Sequence, residues 1–150
     1  MEIDYSVIPE IAVSYSDTVR TSERVAIHCS HDANEIFRQK FQSFMQHHEE
    51  CWVMYLNSVN KVMGIYQVSK NGITNAYVDI RIVLQIALKA NAVGIVVAHN
   101  HPSGSVNPGH EDKRLTQKIQ EACAILNIKL LDHLILSDEQ YFSFADEGLL

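Results

Sequence analysis

Two spacings of apolar residues alternate along this chain, one near 3.6 and one of two, and together they divide it into helices and strands. Ile36, Phe37, Phe41, Phe44 and Met45 recur at helical spacing, and Asp32 followed by Glu35 has the spacing of a capping box, so a helix is expected from Asp32 to near His48. Residues 52–56 and 62–68 are short runs rich in β-branched and aromatic side chains. The spacer Asn57-Ser58-Val59-Asn60 is turn-forming, so the two runs are expected to pair as a hairpin. Gly72 opens a polar loop. Ile82, Val83, Ile86 and Ala87 predict a helix over 80–91, which leads into the almost wholly apolar run AVGIVVA (92–98), the pattern of a strand buried on both faces. Leu115, Ile119, Ala122, Cys123 and Leu126 mark one stripe of a helix over 111–127. Residues 128–136 and 141–144 read as two closing strands. Upstream, 10–15 and 24–29 carry weaker strand patterns, the first bounded by Pro9.

Helices interspersed with strands, one of them running straight into a buried strand, indicate an α/β chain, an α+β sandwich in which helices flank a mixed β-sheet. With no internal repeat, low-complexity tract or long linker, residues 1–150 read as a single domain with 1–30 as a peripheral N-terminal extension. A chain of 150 residues buries a sizeable core without disulfide or metal stapling. The 47% apolar and 20% charged fractions are those of an ordinary globule, and no apolar run is long enough to span a bilayer. Acidic residues stand near the start, where an export signal needs positive ones, so the cytoplasm is the expected location and the three scattered cysteines are expected as reduced thiols.

Chemistry concentrates where the buried strand ends, in the segment HNHPSGSVNPGHED. In extended chain, side chains at i and i+2 share a face, so His99 and His101 can converge on one ion while Asn100 faces elsewhere. Residues 102–108 hold two prolines and one glycine and form a connection. Asp112 then falls in the first turn of the next helix, where the dipole favours a carboxylate and from which it can swing back to the strand end. Two imidazoles plus one carboxylate suit Zn²⁺ in a catalytic arrangement that keeps a fourth position open. Cys29, Cys51 and Cys123 have no CxxC spacing, which argues against a structural zinc ribbon or finger.

The motif HNHPSG, the aspartate eleven positions after the second histidine, the later LLDHLIL and the closing YFSFADEGLL together resemble the RadC family, from about Glu49 to the C-terminus. That family is similar to the JAMM (MPN-type) zinc metalloproteases and isopeptidases. The resemblance implies an MPN, cytidine-deaminase-like architecture, a zinc ion on His99, His101 and Asp112, and a glutamate general base acting on the zinc-bound water. Within EECWVMYLN it places that base at Glu49, with Glu50 the neighbouring candidate. The JAMM pattern has a serine three residues before the aspartate; Gly109 stands there instead. A lost donor of that kind costs ~10²–10³ in rate in other hydrolases. The resemblance also implies a link to DNA repair, although the helix-hairpin-helix region of longer family members has no counterpart in these residues.

Charge bears on partners. The formal net charge is −6, and Lys113-Arg114 with Lys118 shares its helix with Glu111, Asp112 and Glu121, so direct contact with duplex DNA is not expected. Two readings follow: a zinc-dependent hydrolase acting on a peptide or isopeptide bond, and a catalytically weak, metal-binding interaction module in DNA maintenance. A nuclease, which the tripeptide HNH evokes, is disfavoured because such nucleases disperse those residues through a ββα unit. His47-His48, His110, Asp132-His133 and Cys51 are read as structural.

Overall fold

The computed structural model describes residues 9, 11–14, 16, 18–70 and 77–150. A five-stranded sheet in the order β2-β1-β3-β4-β5 runs through it, with β1 at Glu50–Leu56, β2 at Val62–Lys70, β3 at Gly94–Asn100, β4 at Lys129–Leu136 and β5 at Tyr141–Ser143. The sheet is mixed: β1 lies antiparallel to both β2 and β3, β3 parallel to β4, and β4 antiparallel to β5. Three helices flank it, α1 at Ser30–Phe41, α2 at Ile80–Lys89 and α3 at His110–Ile125. This is the expected α+β sandwich.

Each face of the sheet carries its own core. Val53, Tyr55, Ile95 and Val97 pack with Val83 and Ala87 of α2 and Ile119 and Cys123 of α3. Met54, Leu56, Val96, Ala98, Leu134 and Leu136 pack with Phe37 and Phe41 of α1 on the other. Strand β3 is buried along its whole length, as its unbroken apolar run requires. The parallel pairing of β3 with β4 needs a long crossover, and α3 supplies it.

Helices α2 and α3 stop the same way. Asn91 (φ 53°) and Asn127 (φ 55°) take the left-handed conformation just past the helix. Ala92 N–H then bonds Ala87 C=O and Ile128 N–H bonds Cys123 C=O, both at 2.9 Å, closing the last turns. The helical patterns over 80–91 and 111–127 therefore end in these caps.

Three expectations are corrected. Asp32 lies inside α1 rather than at its N-cap, which is Cys29, and its carboxylate accepts from His28 N–H at 2.8 Å. The same helix stops at Phe41 and not near His48; residues 42–47 form turns, although Met45 still reaches the core. The strand pattern over 24–29 reduces to a single bridge between Ala26 and Lys61, because the segment meets the chain only at residues 60–62, where β2 begins. Of the pattern over 10–15, residues 11–14 form no regular element, while Glu10, Tyr15 and the Gly72 loop lie outside the described residues.

Candidate metal centre

The end of β3, the loop behind it and the first turn of α3 build the site. His99 is the penultimate residue of the strand and 5% exposed; His101 follows its last residue. The loop turns back at once, with Gly104 N–H bonding His101 C=O at 3.1 Å. Gly104 has φ 88°, a conformation that glycine adopts without steric cost. Gly109 is the N-cap of α3, and its N–H donates to Asp112 Oδ2 at 2.7 Å, so the aspartate closes the first turn of its own helix while facing the strand.

Three ligand atoms meet here. His99 Nε2 lies 3.0 Å from His101 Nε2 and 3.1 Å from Asp112 Oδ1, and His101 Nε2 lies 3.6 Å from Asp112 Oδ2. Among the described residues this is the group of three His, Cys, Asp or Glu side chains whose ligand atoms all fall within 4.8 Å of one another. His110 lines the cleft at these ligands outside that group, and His47 faces His48, which in turn faces Glu50.

The hydrogen bonds behind the imidazoles decide which nitrogen carries the proton. His101 Nδ1 lies 2.8 Å from the Ser105 carbonyl, which can only accept, so Nδ1 donates. For His99 the chain of bonds is longer. Thr116 Oγ1 donates to Asp112 C=O at 2.7 Å and therefore accepts from His133 Nδ1 at 2.6 Å. His133 Nε2 is left as an acceptor, and His99 Nδ1 donates to it at 2.9 Å. Burial, and then repulsion from His99, holds fully buried His133 neutral, well below the usual imidazole range. In the neutral form of these tautomers, the two Nε2 lone pairs face each other and a carboxylate with no hydrogen between them. A divalent cation satisfies such a donor set.

Burial alone would raise the Asp112 carboxyl, but the His99 imidazole, the Gly109 N–H and His101 together hold it down to about 2. The carboxylate is ionised throughout the range in which a protein of this kind works. Cys51 is the opposite case, pushed up to about 12 by burial and by the Asp112 and Glu49 carboxylates, and so is an inert thiol.

The two glutamates separate by strand parity. Glu49, half-buried, lines a cleft of about 550 Å³ together with His99, His101 and Asp112. Glu50 turns to the other face, where its carboxylate accepts from His48 at 2.7 Å, Trp52 Nε1 at 2.8 Å and Gln67 Nε2 at 2.6 Å. Glu49 thus immediately precedes β1 and ends no helix. Two residues read as structural or as facing elsewhere have partners at the site. His133 faces His99 while Asp132 turns away to Ser143 and Ala145, and the Asn100 amide bonds the segment that carries Glu49.

With this geometry in view, comparison with known proteins is decisive. The RadC-like JAB domain profile matches residues 27–149. The chain belongs to this family. Relatives of this RadC-like JAB domain include a UPF0758 protein of Flavobacterium johnsoniae, 49% identical over 102 residues that make up 68% of this chain and 44% of the relative. One from Porphyromonas gingivalis is 45% identical over 103 residues, 68% of this chain and 45% of that protein. A third, from Aquifex aeolicus, is 35% identical over 127 residues, 85% of this chain and 54% of the relative. The RadC-like JAB chain spans about half the length of the curated relatives it matches. Among the described residues no helix is long and apolar enough to cross a membrane.

Proposed function

We propose that this RadC-like JAB domain is a zinc-dependent hydrolase of peptide or isopeptide bonds, with His99, His101 and Asp112 as ligands and Glu49 as general base. The observation that carries the reading is the convergence of three ligand atoms, within 4.8 Å of one another, in a cleft that Glu49 also lines. A Zn²⁺ ion held by these three residues would supply Lewis acidity and would make a water beside Glu49 easier to deprotonate. The Glu49 carboxylate accepts a proton from the attacking water and returns it to the leaving nitrogen. His133 and Ser105 keep the ligand imidazoles in the tautomer that leaves Nε2 free. Tyr77, Arg81 and Arg114 line the cleft alongside the ligands.

The test is metal analysis joined to peptide cleavage by the unmodified protein and by Glu49→Gln. Glu49→Gln should bind zinc as before and lose about 10²–10⁴ in kcat, the contribution of a positioned base. Activity indifferent to both a chelator and this substitution refutes the mechanism.

Gly109 favours a second reading, a metal-binding interaction module with little hydrolysis. No hydroxyl stands at the N-cap of α3, and a Cβ added there would meet Asp112 Oδ2 at 3.3 Å, a contact that a shift of a few tenths of an ångström relieves. Gly109→Ser should raise hydrolysis at least tenfold if the missing donor is the defect. An inactive wild type and an inactive Gly109→Ser that both bind zinc would favour the module. A link to DNA repair rests on family resemblance alone.

A further inference from the structure

Asn100 stands between the two histidines in sequence and on the opposite face of the sheet in space, with no exposed surface. Its Nδ2 donates to the carbonyls of Met45 at 2.9 Å and His48 at 2.8 Å, and its Oδ1 accepts from Glu50 N–H at 2.9 Å. The amide has only this orientation available, since carbonyls only accept and a peptide N–H only donates. The strand register explains why a side chain does this work. The β1–β3 ladder pairs Cys51 with His99 as its last rung on this side. One residue further, Glu50 comes opposite Asn100, and its N–H turns to the side chain instead of the backbone. The other two bonds go to the turn after α1, whose carbonyls have left the helical ladder.

The three contacts fall at residues 45, 48 and 50, and so bracket residue 49. We infer that Asn100 is a positioning residue: it fixes the backbone that carries Glu49 to the strand that carries His99 and His101, so that base and ligands keep one mutual geometry. The inference rests on the reading of Glu49 as general base. Its physical basis is the covalent path. The clamp is bonded directly to both ligand residues, so a shift of the ligand strand moves the base-bearing segment with it. Two of the bonds, to Met45 and Glu50, are buried and the one to His48 is partly so; a buried partner left unpaired has no water to replace the bond, so the clamp holds more firmly than a surface contact does. The tolerance it protects is narrow, because a misplacement of 1 Å costs about 10²-fold in rate.

The experiment compares the full chain with Asn100→Ala, Asn100→Asp, Glu49→Gln and the double variant Asn100→Ala/Glu49→Gln. The expected result is that both Asn100 variants keep the zinc dissociation constant of the unmodified protein and lose about 10²-fold in kcat with KM unmoved. Asn100→Ala should cost nothing further in the Glu49→Gln background, since the geometry it guards no longer matters there. Full kcat in Asn100→Ala, an equal loss in both backgrounds, or zinc affinity lost together with activity would each overturn the inference, the last because it marks a fold-keeping role. A second readout needs no catalysis. In the Co²⁺-loaded protein, the paramagnetic shift of the ¹³C-labelled Glu49 carboxyl reports its place relative to the ion. Asn100→Ala should displace that signal, and an unchanged signal overturns the inference even if no substrate is ever cleaved. Absence of hydrolysis by the wild type defeats the hydrolase reading and leaves this arm standing. Should the variants not fold or the metal not bind, the unmodified protein decides: protected Asn100 side-chain amide protons and Glu50 N–H support the clamp, and fast exchange at them overturns it.

Discussion

At the scale of single residues, the site depends on proton placement as much as on ligand identity. His99 offers Nε2 only because His133 takes its Nδ1 proton, and His133 can do so only because Thr116 takes the proton of its own Nδ1. Thr116→Val removes the last acceptor in that chain while keeping the shape of the side chain, and His133→Phe removes the middle link. Both should weaken zinc binding by 10- to 100-fold, measured by competition with a chromogenic chelator, with the fold retained. Nitrogen shifts of the His99 ring should show a mixture of tautomers in both. The sequence displayed His99, His101 and Asp112 openly because each follows from local geometry: strand parity for the first two, a helix start for the third. It hid His133 because nothing local says which residue of a neighbouring parallel strand lies beside a ligand. Thr116, one helical turn after Asp112, was the available signal, and it pointed to the face that His133 occupies.

Among the elements, β1 lies against the ligand strand and follows directly on Glu49, and its polar first residues set its limits. A pattern read from apolar residues starts this strand at Trp52, whereas the ladder begins at Glu50, whose charge is stabilised by three donors. Burial by itself would raise the Glu50 carboxyl, but the bonds from His48, Trp52 and Gln67 outweigh it and hold it below the ordinary 4.5. A carboxyl whose pKa is lower folded than unfolded stabilises the fold fully above 4.5, and that stabilisation is lost as pH falls through the folded value. Unfolding free energy should therefore decline as acid is added below pH 4.5. Glu50→Gln should flatten that decline and cost on the order of 2 kcal/mol at neutral pH, where an NH₂ replaces one acceptor before partly buried donors. Denaturant titrations at a series of pH values check both. The hairpin β1–β2 was legible from its turn, while α1 outran its helix because Phe44 and Met45 keep an apolar rhythm that the chain satisfies from a turn.

For the whole molecule, metal and fold are separable. Two cores, one on each face of the sheet, surround β3 without drawing on the ligands. The chelated protein should keep its far-ultraviolet circular dichroism. Zinc at 100 times its dissociation constant should add about 2.7 kcal/mol, which raises Tm by roughly 5–10 °C for a chain of this size. Calorimetry with and without chelator measures this, and an unfolded apoprotein would contradict it. The α+β class followed from the order of elements, but the order of strands across the sheet did not, because contacts between strands far apart in sequence leave no local pattern.

Asp112 Oδ2 accepts the N–H that opens α3 and also faces the His101 ring. A cation held through either oxygen of this carboxylate draws electron density from the group that also closes the helix start, so the leading turn of α3 and the occupancy of the centre are thermodynamically linked. The Gly109 amide proton is then a built-in gauge, its exchange rate differing between loaded and empty molecules before any substrate is present.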